Sequence, residues 1–300
     1  MDVVLDTDAY NEIDDQFAIA YLLKSSSQLT TRAIYAAPFL NDKAQSPKDG
    51  MEKSFLEIHK LLDLLMLPER KKDVYKGASA FLRSEKEAVQ SAAAENLVQT
   101  AMQYTKENPL YVVGIAAITN IASAILMEPA IAEKIVVVWL GGSAFHRNGE
   151  EEFNMMQDVA AARVVFDSGV RLVLLPCHGV VEYFRISRLE LEHWLLGRNA
   201  LCDYLAENTI QYVESYAEQK NWTKTIWDVT AVGWLLNENE CFMQERVVPR
   251  PIPEYDNTYS FDDTREPLIY ITGINRDALF EDMIKKLQRS DKNDRETGSH

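Results

Sequence analysis

The sequence predicts an α/β fold, with an open, mostly parallel central sheet flanked by helices. Three observations carry that expectation. Short runs rich in β-branched residues alternate with longer stretches of helical spacing, the rhythm of βαβ units. Several of the runs, such as Ile135 to Leu140 (IVVVWL), are apolar throughout and read as buried strands. No Pro/Gly/Ser-rich linker and no internal repeat divides the 300 residues. One domain over 1–288 is therefore expected, followed by a polar tail over 289–300.

The elements follow in order. Val3 to Leu5 is a brief strand, Phe17 to Leu23 has helical spacing, and Thr31 to Ala37 reads as a second strand. Residues 51–66 (MEKSFLEIHKLLDLLM) carry apolar side chains at i, i+3, i+4 and i+7, an amphipathic helix. Strands at Leu110 to Ile115 and Ile135 to Leu140 are each followed by a helical segment, 119–127 and 157–166. Val170 to Leu175 is a further strand, ended by Pro176. Residues 187–219 are helical in pattern, and Trp227 to Leu236 reads as a buried helix. A late strand, Leu268 to Ile271, precedes a last helix over 276–288.

Composition limits the functions open to this chain. Apolar residues make up 47% and charged residues 26%, which suits a packed domain and excludes a disordered or collagen-like chain. No run approaches the ~20 apolar residues of a membrane span. The start, Met1-Asp2-Val3-Val4-Leu5-Asp6, has no basic flank or long apolar stretch and does not read as a secretory signal. Cys177, Cys202 and Cys241 form no CxxC pair, which argues against a zinc ribbon or disulfide scaffold and for a reducing, cytoplasmic setting. With 31 Lys plus Arg against 46 Asp plus Glu, the net charge is -15, and such a surface repels nucleic-acid phosphates.

The sharpest feature is Asp6-Thr7-Asp8-Ala9-Tyr10-Asn11-Glu12-Ile13-Asp14-Asp15, five carboxylates in ten residues directly after the first strand. In open α/β sheets, ligands bind beyond the carboxyl ends of strands. So many anions repel one another, and a hard divalent cation with oxygen ligands relieves the repulsion. Helix capping by Asp14 or Asn11 beside a solvated acidic loop would explain two of the acids and not all five. A DxD after a first strand also opens the haloacid dehalogenase phosphatases. Here, however, Tyr10 stands where that pattern has Thr or Val, and Asp262-Asp263 follows no convincing strand.

Several separated segments, in the right order, resemble the nucleoside hydrolase family. That family opens with a strand and DTDPGxDD; here Asp6-Thr7-Asp8 and Asp14-Asp15 fit, across a loop two residues longer that lacks the Pro-Gly. Val113-Gly114-Ile115-Ala116-Ala117-Ile118-Thr119-Asn120-Ile121-Ala122 resembles the family's strand, small-residue turn and LTNIA helix start. Val138-Trp139-Leu140-Gly141-Gly142 resembles its VLMGG strand, and Glu152-Phe153-Asn154 its EFN motif. Trp227-Asp228 stands where the family often has His-Asp before an Ala-rich helix.

The resemblance implies a Rossmann-like core and a Ca²⁺-dependent cleavage of the N-glycosidic bond of a ribonucleoside. It implies that Asp8, Asp15 and Asp228 ligate Ca²⁺ through carboxylates and Ile115 through its carbonyl. Asp8 would also be the general base, and Asp14 would hold a ribose hydroxyl. Glu152 and Asn154 would bind the sugar from the other side, together with Asn148, and Asn41 would be a further site asparagine. A homodimer or homotetramer is also implied. The chemistry suits these residue types, because carboxylates and amide oxygens stabilise the positive charge that builds on the sugar ring.

Two departures bear on the base. Glu12 in the longer loop is either a pocket residue or a capping acid. Trp227 cannot donate a proton as a histidine can; it either stacks a purine or belongs to the core beside Trp234. His178, after the strand ending at Leu175, is a further candidate for the pocket wall. A purine nucleoside is thus the expected substrate. The rivals are hydrolysis of another ribosyl compound and metal and sugar binding without turnover.

Overall fold

The computed structural model describes residues 1–289, so the expected polar tail, apart from Arg289, lies outside the described residues. The chain opens with β1 (Asp2–Thr7), α1 (Asp15–Lys24), β2 (Thr30–Ala36), α2 (Pro47–Leu64) and a short β3 (Val74–Lys76). Then come α3 (Ala92–Ala101), β4 (Leu110–Gly114), α4 (Thr119–Met127) and β5 (Ile135–Leu140). Two short helices, α5 (Phe153–Gln157) and α6 (Val159–Asp167), lead to β6 (Arg171–Leu175). The second half carries β7 (Arg185–Ser187), α7 (Arg188–Trp194), α8 (Ala200–Glu214), β8 (Thr223–Thr225) and α9 (Val229–Leu235). It ends with β9 (Met243–Pro249), β10 (Ile252–Pro253), β11 (Tyr259–Ser260), β12 (Pro267–Ile274) and α10 (Arg276–Leu287).

Eight strands form the main sheet in the order β3-β2-β1-β4-β5-β6-β12-β9. All neighbours are parallel except β12 and β9, which pair antiparallel at one edge. Alternate side chains of each strand enter one of two cores. Leu5, Ile34, Val113, Val138 and Val173 face the layer that holds α1, α9 and α10. Val4, Ala33, Val112, Val137 and Leu172 face the layer of α3, α4 and α6. Burial on both faces is why these strands read as unbroken apolar runs.

Strand order reverses between β1 and β4, since β2 and β3 extend to one side of β1 and β5 and β6 to the other. At such a switch point the chain leaves the two central strands in opposite directions. A crevice opens beyond their carboxyl ends. Thr7 ends β1 and Gly114 ends β4, so Asp8 and Ile115 begin the walls of that crevice.

The structure also differs from the sequence pattern. The helical pattern over 187–219 is two helices, broken at Gly197, whose φ of +76° a residue with a Cβ adopts only with strain. The segment 157–166 is preceded by α5, and separate caps start the two helices, the carboxylate of Glu152 for α5 and that of Asp158 for α6. Strand β9 is absent from the pattern because five of its seven residues are exposed, so no apolar face marks it. Among the described residues, no helix is long and apolar enough to cross a membrane.

Candidate active site

The acidic segment after β1 folds into a pinned loop. Asn11 N–H donates to the Asp8 carbonyl at 2.7 Å, closing a turn, and Gln16 Nε2 donates to the Ala9 carbonyl at 2.8 Å. Asn41, beyond β2, donates from Nδ2 to Asn11 Oδ1 at 2.6 Å, and Lys43 Nζ reaches the Asn11 carbonyl at 2.7 Å. Lys224, from β8, pairs with Glu12. The capping alternative does not account for the acids. Asp14 precedes α1 without a side-chain capping bond, and the Asn11 side chain is engaged by Asn41.

This arrangement leaves a cavity of about 260 Å³ at the switch point. Asp8, Asp14, Asp15 and Asp228 line it with Ile115; Asn11, Glu12 and Asn41 border it from the loop side. Leu140, Glu152, Phe153, Asn154 and Cys177 form the wall at β5 and β6, and His178 and Trp227 complete the lining. Of the residues singled out from sequence as binding or catalytic candidates, Asn148 is not brought to the cavity, and of the five clustered acids Asp6 lies behind the lining. The Asn148 amide is bonded in both directions to the Tyr259 backbone, at 3.0 and 2.6 Å, and pins β11 instead.

The carboxylates are crowded and dry. Asp8, Asp15, Asp14 and Asp228 are 1, 2, 3 and 4% exposed. Oxygens of Asp14, Asp15 and Asp228 lie within 4.8 Å of one another. Burial, and then the neighbouring acids, push their pKa values up: Asp14 to about 6, Asp15 to about 8, Asp8 and Asp228 well above the ordinary carboxylate range. Few hydrogen bonds offset this. The Thr7 hydroxyl donates to Asp15 Oδ1, and Trp227 N–H donates to Asp14 Oδ2 at 3.0 Å. Asp8 Oδ2 is buried with no partner among the described residues. An orphaned buried oxygen beside three converging carboxylates is a donor set of hard oxygens, which fits a divalent cation taking about six to eight oxygen ligands. Behind it stands Asp6, raised by burial to about 7 and held by Asn120 Nδ2 at 2.7 Å, so it supports the loop from outside the lining.

The opposite wall is set by α5. Glu152 accepts from the N–H groups of Gly142, Asn154 and Met155 at 2.6, 2.9 and 2.9 Å and from Cys177 Sγ at 3.3 Å. These bonds hold it as a rigid cap whose edge faces the cavity. Asn154 donates to the Leu140 carbonyl at 3.0 Å, which fixes the amide and leaves its oxygen for a ligand.

Trp227 and Trp234 part company. Trp227 lines the cavity and meets His178 edge-on, ring centroids 5.7 Å apart. Trp234 packs beside Tyr111 at the far end of the sheet. Glu12 is a pocket residue, clamped by Lys224. Sequence reasoning missed Lys224 and the Glu152–Cys177 contact. A lone Lys in a three-residue strand carries no signal of its own, and neither does a single Cys outside any paired motif.

Comparison with known proteins agrees with this geometry. A pyrimidine-specific ribonucleoside hydrolase, RihB, of Escherichia coli O1:K1 is 36% identical over 170 residues, covering 54% of this chain and 52% of that protein. The match thus spans about half the length of that relative. Among solved structures, a purine-preferring ribonucleoside hydrolase from Gardnerella vaginalis shares the fold with a TM-score of 0.77 at 19% identity, covering 96% of this chain and 98% of that one. A plant nucleoside hydrolase gives 0.76 at 17%, covering 96% and 99%. The sequence model of the inosine-uridine preferring nucleoside hydrolases matches residues 3–279, nearly the whole described chain, and this protein belongs to that family of N-glycosyl hydrolases.

Proposed function

We propose that this protein is a calcium-dependent N-ribohydrolase that cleaves ribonucleosides and prefers a purine base. The observation that carries the reading is the convergence of Asp8, Asp14, Asp15 and Asp228 with Asn154 and Glu152 on one small cavity. Asp8, Asp15 and Asp228, with the Ile115 carbonyl, are the residues that would hold Ca²⁺. When bound, the cation orients the attacking water and lowers its pKa. Asp8 takes the proton from that water, while Asp14 and Asn154 hold ribose hydroxyls. Glu152 fixes the wall against which the sugar sits. As the glycosidic bond stretches, positive charge grows on the ring, and these oxygens stabilise it more in the transition state than in the substrate.

Trp227 in the lining supports the purine preference, since an indole face stacks a two-ring base over a larger area than a one-ring base. The RihB relative is named as pyrimidine-specific, and this favours a second reading in which the same cavity takes cytidine or uridine. The three cysteines are free, consistent with a reducing cytoplasmic setting. The test is ribose release by the calcium-loaded protein from inosine, guanosine, uridine and cytidine. Preferential cleavage of the first pair is expected. Preference for the second pair installs the pyrimidine reading. Ribose from neither pair directs attention to other ribosyl compounds or to binding without turnover.

A further inference from the structure

When the glycosidic bond breaks, its electron pair goes to the base, and the base leaves more easily if a proton arrives with it. Trp227 occupies the position where the family resemblance expects a proton-donating histidine, and indole has no proton to give at neutral pH. Among the cavity-lining residues the structure contains one imidazole, His178, supplied from the other side of the site, beyond β6. Its edge-on contact with Trp227 puts it beside the surface on which a base would stack.

The turn that carries His178 is rigid. Val181 N–H donates to the Pro176 carbonyl at 3.1 Å and Glu182 N–H to the Cys177 carbonyl at 3.0 Å. The His178 carbonyl accepts from Ala144 N–H at 2.8 Å. Gly179 has φ +88°, and a Cβ there would stand 2.8 Å from the Ala144 side chain, so this residue's bareness lets the turn press against the neighbouring segment. Behind the imidazole, Glu182 Oε2 lies 3.9 Å from Nδ1, while Glu182 Oε1 accepts from Arg147 at 2.6 Å. At that separation the carboxylate is within ion-pair reach of Nδ1 without a hydrogen bond to it, and Nε2 is the atom left to donate; catalytic contacts of this kind shorten when substrate fills a site.

We propose that His178 is the catalytic acid that protonates the departing base, with Glu182 as its positioning residue. The assignment rests on the nucleosidase reading above. In the step, the bond between C1′ and the base nitrogen breaks and its electron pair enters the base. A proton moves from His178 Nε2 to the base, at N7 of a purine. Water adds to C1′ from the opposite face and gives its proton to Asp8. Asp8 then releases its proton to solvent and His178 takes one back, so the sum is nucleoside plus water to ribose plus base.

The test compares inosine with 4-nitrophenyl β-D-ribofuranoside, whose nitrophenolate leaves without needing a proton. In His178→Phe and His178→Gln, kcat on inosine should fall at least about a hundredfold, the lower end of general-acid effects. Turnover of the nitrophenyl riboside should stay near that of the parent, which also reports an intact fold and sugar site. Glu182→Gln should show the same split at a smaller size, about tenfold on inosine. Equal losses on both compounds would make His178 a structural residue and overturn the assignment, as would unchanged inosine turnover. A parent protein that frees ribose from neither compound overturns the nucleosidase reading beneath it, a result distinct from both.

Discussion

The two ends of the cavity are built differently. The carboxylate end stands on the tips of β1 and β4 and the first turns of α1 and α9, and its four aspartates are almost fully buried. The base end stands on loops and short strands: Trp227, His178, and Glu12 held by Lys224, with side-chain exposures of 32% at His178 and 34% at Glu12. Sheet geometry dictates the first, because a switch point always offers strand ends to a ligand. Loop length and single substitutions set the second, where one fold is fitted to different leaving groups. On the function proposed above, sugar and metal chemistry would fall to the end that the fold dictates, and base chemistry to the end that is particular to this chain.

If that division is right, damage at the carboxylate end should be severe and independent of the base. Asp8→Asn should fold and still offer an oxygen to the cation, yet lose at least about a hundredfold in turnover on every nucleoside, because an amide takes no proton from water. Near-normal turnover in the folded, calcium-loaded variant would reassign the base. Next in size, Asp15→Ala and Asp228→Ala should each weaken calcium binding at least about tenfold, measured by calorimetry. Unchanged affinity in either would remove that residue from the cation site.

At the base end, effects should be smaller and depend on the base. Inosine or guanosine should be cleaved at least about ten times more efficiently than uridine, and Trp227→Ala should narrow the ratio, since ~1.4 kcal/mol gained only in the transition state is about tenfold in rate. A ratio that does not move in Trp227→Ala would return this residue to a packing role.

The smallest expected effect is on stability and comes from the carboxylate end alone. Asp15, Asp6 and Asp14 are raised to about 8, 7 and 6 from 3.8 by burial, with neighbouring acids adding to the rise at Asp14 and Asp15. Between the unfolded and folded values the native state binds more protons than the unfolded chain. Stability of the metal-free protein should therefore fall as pH rises through that window and level off above it. Saturating calcium should flatten the slope by offsetting the ionised acids. A melting temperature that climbs steadily between about pH 5 and 8 in chelator would show that these acids are not so burdened.

The same division governed what could be read from the residues. The parallel strands were legible because burial on both faces leaves unbroken apolar runs, and the acids at 6–15 because no core or cap needs five of them. The Asn11–Asn41 and Glu12–Lys224 contacts that pin the loop were not legible, since residues 30 and 212 positions apart meet only after folding. The family resemblance implied a sugar-site role for Asn148, yet backbone bonding to Tyr259 claims its amide. Edge strand β9 escaped notice because an exposed antiparallel strand needs no apolar face.

On the proposed function, the carboxylate end does cation-dependent work. The measurement is ribose release from inosine by the protein stripped with chelator, then supplied with calcium in steps. Turnover should be lost on stripping and return with saturation at about one calcium per chain, and Asp15→Ala should need far more calcium for the same recovery. Full turnover in chelator, unmoved by added calcium, would contradict it.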